Sequence, residues 1–361
     1  SEARGCDLAR WSDEDIRFGA VSTGSTTTVT TTGAAITREV SFGAIAKREI
    51  AAGTTLITLS SSLTIPPTLS TTLYHQHPLL TALSSLPLPP RTRQLAFLIH
   101  TRFTSSHTLS QVLTSPSSSL SPMSKTTLSI LHHYIRSLPC TFSDPTHYHP
   151  SSRALALLTG TNLGSALNTY LHHDAAHLAR LHNQLTSFLQ QYQRDTVCDD
   201  DESTTATAAT AAAAVTQLLA VLNEHTWRWA RSAFKSRCFP AHLVTNHQKQ
   251  QQPNNNDDDD DDDDGAVLLP VIDLLNHRRG ARVSWEYDYG AGEVRFKVDE
   301  CVKSGHEVFN NYGAKSNEQL LLCYGFVPAA NPNDNVAVRL PRHAVQSCTR
   351  ELEKQGLMKR A

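Results

Sequence analysis

No stretch of this 361-residue chain approaches the ~20 continuous apolar residues that span a bilayer. A helical membrane anchor is therefore not expected, and the chain reads as soluble, with no membrane partner. Closely spaced cysteines are missing as well. Cys6, Cys140, Cys198, Cys238, Cys301, Cys323 and Cys348 are odd in number, scattered and never in a C-x-x-C pair. That excludes a disulfide scaffold and denies a structural zinc site the ligand pairs it takes. The first 20 residues mix Arg4, Arg10 and Arg17 with Asp7, Asp13, Glu14 and Asp15 and lack an apolar core. No signal or transit peptide is legible there, and the expected location is cytoplasm or nucleus. A strong excess of one charge is also lacking. The formal net charge is −2, but Asp257 to Asp264 hold eight of the 34 acidic residues, leaving 26 against 32 basic ones. So mild a basic surplus suits an acidic protein surface and is too weak to imply nucleic acid.

The length allows two domains at about 150 residues each. Ala34 to Ile65, AAITREVSFGAIAKREIAAGTTLITLSSSLTI, has short β-branched runs broken at Gly43 and Gly53, the pattern of a small antiparallel β unit. From Pro66 to about Phe239, Leu and Ala recur at helical spacing, as in Leu128 to Leu138. Ser/Thr/Pro tracts near 104–126 and an Ala/Thr run at 203–214 read as loops or weakly specified helix within that stretch. Gln248 to Gly265, QKQQQPNNNDDDDDDDDG, offers nothing to a core and is expected to be a disordered surface loop. Beyond it, Val267 to Ile272 is apolar, and Glu293 to Asp299 alternates with the period of a half-buried strand. Ser316 and Gln319 form a capping box ahead of Leu320 to Tyr324, with Gly325 placed to end that helix.

Three segments carry candidate chemistry: Ser236-Arg237-Cys238-Phe239, Asp273-Leu274-Leu275-Asn276-His277, and Glu307-Val308-Phe309-Asn310-Asn311-Tyr312-Gly313 with the following Tyr324-Gly325-Phe326. A D-x-x-N-H turn alone is weakly specific. Followed 35 residues after His277 by Tyr312, and 12 residues later by Tyr324, it is hard to obtain by chance. This pattern, together with Ala34 to Ile65, resembles the SET-domain methyltransferases, in the branch similar to plant Rubisco lysine methyltransferase. The resemblance covers most of the chain apart from its low-complexity tracts.

The resemblance implies an α+β fold of small β-sheets with a knot-like crossing of the Asn-His turn and the tyrosine segment, and a large helical insertion. The expected organisation is an N-terminal segment 1–32, a first β part 33–65, the insertion 66–239, the acidic loop 240–265, a catalytic part 266–330, and the start of a C-terminal substrate-binding region at 331–361. The implied cofactor is S-adenosyl-L-methionine. Asn276, His277 and Asp273 would contact it, Arg237 would pair with its carboxylate through a guanidinium fork, and the backbone of Ser41, Phe42 and Gly43 would lie along it. Tyr312 would be the catalytic tyrosine, also touching the cofactor, while Tyr324, Ser236 and Phe309 would line the substrate channel.

The implied reaction is methyl transfer to a lysine of a protein substrate by a monomer. The absence of cysteine-rich flanking modules weighs against a histone-directed architecture. Histidine as acceptor, and a catalytically silent adaptor, remain alternatives. Taken singly the same residues have plainer readings: Asn276-His277 as a polar turn, Tyr312 as a packed aromatic, Arg237 as a surface cation. Cys238 and Cys323 read as packing residues. The eighteen histidines, His132-His133 and His172-His173-Asp174 among them, invite a metal-site reading, but adjacent histidines on a helix point in different directions, and they read instead as surface residues. No metal is expected.

Overall fold

The computed structural model describes residues 9–11, 14–30, 33–66, 77–105, 122–149, 151–195, 202–244, 265–336 and 351. The acidic segment 248–264, the tract 106–121 and the region after 336, save residue 351, lie outside the described residues.

The fold is α+β. Strands β1 (Ala9–Trp11), β4 (Thr54–Ser60), β8 (Glu293–Val298) and β7 (Val283–Asp288) form one sheet in the order β1-β4-β8-β7. A second sheet runs β2 (Ile16–Thr30), β3 (Gly33–Ala46), β9 (Glu307–Val308), and a third pairs β5 (Cys238–Pro240) with β6 (Ala266–Leu268). Every pairing is antiparallel. In β8 the period-2 reading holds, with Val294, Phe296 and Val298 buried and the residues between them half-exposed. Burying one face of β8 fixes its register against β4, since a slip by one would turn those side chains to water. The first and last β segments of the chain thus share sheets, and the helices lie between them in sequence.

Those helices are α1 (Pro78–Ser84), α2 (Pro90–Phe103), α3 (Pro122–Ser137), α4 (Arg153–Leu158), α5 (Asn162–Asp195), α6 (Glu202–Val221) and α7 (Glu224–Lys235). α7 starts at a capping box, Asn223 with Thr226, and buries Trp227, Trp229, Ala230, Ala233 and Phe234. Of the two readings of the Ala/Thr run, loop or weakly specified helix, the helix holds, continuous over Glu202–Val221. Alanine has the best intrinsic propensity, and α6 buries Ala211, Ala214, Val215 and Leu218 in the core shared by helices and sheets. The histidines do not all lie at the surface. His172 and His173 are exposed, but His77 and His100 are buried, their rings edge to face at 5.9 Å. Burial pushes the pKa of His77 down to about 3 and that of His100 to about 4, so both sit neutral in the core.

The last helix, α8 (Asn317–Tyr324), follows the sequence closely. Ser316 and Gln319 make the reciprocal capping box, and Gly325 closes the helix at φ 77°. A Cβ at Gly325 would lie 2.7 Å from the backbone of Ser143 and Asp144, so the close approach requires glycine as much as the φ does.

Candidate active site

β6 delivers the chain into a tight turn, Ile272–Leu274, whose preceding residue Val271 has φ 75° and ψ −47°. It is the one positive-φ non-glycine among the described residues. A β-branched side chain there costs on the order of 1–3 kcal/mol, and such strain collects at functional sites. The turn aims Asp273 inward and sets Asn276 to Arg278 alongside Asn310, in a parallel bridge between His277 and Asn310. Backbone bonds from Asn310 N to Asn276 O at 2.8 Å and from Arg278 N to Asn310 O at 3.0 Å close this contact. The Asn-His turn and the tyrosine segment are thereby zipped together.

On this crossing the aromatic rings stack. The Tyr312 ring lies 5.0 Å from that of His277 and 4.8 Å from that of Tyr324, both within 24° of parallel. Tyr324 and His277 in turn meet Phe326. The Tyr312 hydroxyl donates to the Leu275 carbonyl at 3.0 Å, and its backbone N–H donates to His277 Nδ1 at 3.0 Å. Burial and nearby Lys315 push His277 below its ordinary pKa, so the ring is neutral and carries its proton on Nε2. Burial pushes Tyr312 up to about 12 and raises Tyr324 further, so both phenols keep their protons at neutral pH.

Beneath the rings lies a buried polar knot. Arg237 Nη1 donates to the Asp273 backbone oxygen at 3.0 Å and to its Oδ2 at 3.2 Å. Tyr134, from α3, donates to the same Oδ2 at 2.7 Å. Burial raises the Asp273 carboxyl above the usual carboxylate range against the pull of Arg237 and Tyr134. Two atoms of this knot, Arg237 Nε and Asp273 Oδ1, are buried without a hydrogen-bond partner, as is Trp285 Nε1 nearby. Arg237, Asp273 and Trp285 line one cavity of about 1150 Å³, together with Ser236, Tyr312 and Tyr324.

Most of the sequence candidates therefore converge, but not all in the expected way. Asn276 Nδ2 donates to Glu307 Oε1 at 2.7 Å and to the Phe42 carbonyl at 3.1 Å. Its amide thus ties the turn to the β3 loop. Phe42 is 54% exposed and Gly43 is buried, while the Ser41 side chain lies outside the described residues. The Ser236 hydroxyl is taken by the Ser232 carbonyl at 2.7 Å. Phe309 is not on the cavity wall; it lies under the Arg278 guanidinium at 5.3 Å. Tyr134 and Trp285 were not among the sequence candidates, and Glu307, though inside a candidate segment, had no role assigned to it. Tyr134 pairs with a residue 139 positions away, and nothing in the spacing of the helix that carries it points there. Among the described residues no group of three His, Cys, Asp or Glu could hold a metal ion. No helix there is long and apolar enough to cross a membrane.

The fold is that of a SET domain. The structure of the SET domain of LSMT bound to lysine and AdoHcy superposes with a TM-score of 0.51 at 16% identity, covering 86% of this chain and 54% of that one. In sequence the chain is 28% identical over 214 residues to ribosomal lysine N-methyltransferase set10 of Schizosaccharomyces pombe, covering 58% of this chain and 30% of the relative. It is 30% identical over 226 residues to ribosomal lysine N-methyltransferase 1 of Saccharomyces cerevisiae, covering 59% and 35% respectively. The chain thus matches about a third of the length of these relatives. No family model matches it.

Proposed function

We propose that this chain transfers a methyl group from S-adenosylmethionine to a lysine side chain of a non-histone protein. The observation that carries this reading is the Tyr312 hydroxyl, fixed on the Leu275 carbonyl between two stacked rings at the wall of the cavity. The residues present also fit the cofactor. The buried unpartnered Arg237 Nε is a charged donor suited to a carboxylate, and the unpartnered Asp273 Oδ1 is an acceptor suited to an amino group. An orphaned buried polar atom in a native fold calls for an explanation, and beside a cavity a bound ligand supplies one. The cofactor, when bound, supplies an electrophilic sulfonium methyl.

The rest is positioning by the chain. A free lysine has a pKa near ~10.4, and transfer needs its neutral form, which burial favours. The faces of Tyr312 and Tyr324 exclude water and tolerate the cationic product. Because the Tyr312 hydroxyl gives its hydrogen to Leu275, its lone pairs remain to accept from the amine and fix its approach. Both phenols stay protonated, so Tyr312 orients and does not act as a base. Positioning alone can supply much of such an acceleration.

The test is incubation with labelled S-adenosylmethionine and a cell lysate, followed by mass spectrometry of the modified residue. Methyl-lysine is the expected product. Methylhistidine would redirect the assignment to the alternative acceptor, and no cofactor affinity by isothermal titration would make the chain an adaptor.

A further inference from the structure

The cavity is larger than a lysine side chain needs. At about 1150 Å³ it exceeds the ~300–1,000 Å³ common for small-molecule sites. It runs from Tyr312 and Tyr324 to the facing surfaces of α5 and α7, where Tyr170, Asp174 and Arg231 line it. Its charge is one-sided. Five lining residues are Arg or Lys, and two are carboxylates. Both carboxylates are engaged, Asp273 with Arg237 and Asp174 with Arg231 at 2.8 Å. Lys235 and Lys315 have no carboxylate within ion-pair distance among the described residues.

Lys235 is held in a distinctive way. Its Nζ lies 4.2 Å from the centroid of the Tyr170 ring and donates to the Tyr170 hydroxyl at 2.9 Å. Arg231 packs on the same ring at 4.1 Å, and Arg91 on the ring of Phe234 at 3.9 Å. An aromatic face holds a cation through its quadrupole without cancelling its charge, whereas a carboxylate cancels it. The Lys235 ammonium is thus fixed in place and still electrostatically active toward the cavity, where low-dielectric walls focus its field.

We infer that this basic, aromatic-backed wall selects protein segments that carry Asp or Glu beside the target lysine. The inference rests on the lysine-transfer reading for the role of the cavity, and it names the class of segment the cavity accepts. An acidic flank gains the field of Lys235 and Lys315, and a basic flank is repelled by it. Part of the mild positive surplus of the sequence outside its aspartate tract is thereby concentrated on the wall of this cavity.

The test uses the full chain and three fluorescein-labelled peptides with one central lysine, flanked by Glu, by the isosteric Gln, or by Lys. Binding is read by anisotropy and transfer separately, with S-adenosylmethionine at saturation. The Glu peptide is expected to bind at least tenfold more tightly than the Gln peptide at low salt, with the gap closing as salt screens it. Lys235→Gln should shrink the ratio several-fold, and Lys235→Glu should bring the Lys peptide above the Gln one, with cofactor affinity retained as the check on folding. Equal binding of Glu and Gln peptides, or a preference untouched in Lys235→Glu, overturns the inference. Glu-selective binding without methyl transfer to any peptide upholds it and overturns the transfer reading instead.

Discussion

Two buried Asp–Arg pairs lie on the same cavity wall, and they are finished differently. In the helical layer, Asp174 accepts from Trp227 Nε1 at 3.1 Å on one oxygen and from Arg231 at 2.8 Å on the other, so its carboxylate is complete. At the crossing, Asp273 holds Tyr134 and Arg237 on a single oxygen, and Asp273 Oδ1 and Arg237 Nε are left without partners. A pair that only supports packing is satisfied internally, because an unpartnered buried polar atom costs roughly 1–3 kcal/mol. The incomplete pair is the one beside the strained Val271 turn and the stacked tyrosines. The difference separates scaffold from site more sharply than the presence of an ion pair does.

Breaking the complete pair is expected to give the largest effect. Asp174→Ala strips the largely buried Arg231 side chain of its counter-charge and the buried Trp227 of its acceptor, a change worth roughly 3 kcal/mol of stability, the low end for a buried pair. Urea unfolding followed by tryptophan fluorescence measures it, with cofactor affinity of the folded fraction unaltered. A loss below about 1 kcal/mol would place Asp174 among ordinary surface ion pairs and remove the contrast with Asp273.

At the crossing the expected losses are in rate. Tyr312→Phe keeps both ring stacks and removes one hydroxyl, so cofactor binding should persist while turnover falls on the order of 10²-fold, about 2.7 kcal/mol. Asn276→Ala should act instead on cofactor affinity, by releasing the Phe42 loop from the turn. Single-turnover rates at saturating cofactor separate the two. A wild-type rate in Tyr312→Phe makes it a packing residue and moves the reacting centre elsewhere.

How much of this was legible in the sequence follows from the range of each interaction. The helix at Asn317–Tyr324 was readable to its caps, because capping boxes and a left-handed glycine are local signals. The convergence of Arg237, Asp273, His277, Tyr312 and Tyr324 was readable from order and spacing once a resemblance supplied the crossing. Tyr134 and Glu307 were not, since each acts on a partner brought near only by the fold. The Ala/Thr run was underestimated because its stability comes from high propensity joined to a small-residue face against the core. The buried His77 and His100 were missed because histidines in this sequence are too frequent for any one to stand out.

Those histidines qualify the contrast and give a pH test. His77 Nδ1 is also buried without a partner, yet it lies among the core helices and does not line the cavity at the crossing. Its pKa, like that of His100, is lowered on folding, so the unfolded chain binds more protons below the ordinary value of about 6.5. Stability is then full above about pH 6.5 and declines as the pH falls toward 4. The loss should amount to about 2 kcal/mol per histidine between pH 7 and 5. Chemical unfolding at the two pH values in wild type and His77→Gln measures it. An equal slope in both would mean that His77 is protonated in the folded state.

The finest comparison asks whether the incomplete pair is held open by the helical layer. Tyr134 comes from α3, and its hydroxyl donates to the Asp273 carboxylate. Tyr134→Phe leaves the ring in place and withdraws a bond to a charged acceptor, worth about 1.5 kcal/mol at the low end for such bonds. Without it Asp273 is free to turn its second oxygen toward Arg237, completing the pair on the pattern of Asp174 and Arg231. The pair would then be better satisfied and the cofactor worse served. Affinity for S-adenosylmethionine should fall about tenfold, the equivalent of that energy, while the single-turnover rate at saturating cofactor stays within a few-fold and the unfolding midpoint hardly moves. An unchanged affinity with a lowered midpoint would make Tyr134 an anchor of α3 only. The open oxygen of Asp273 would then owe nothing to the helical layer.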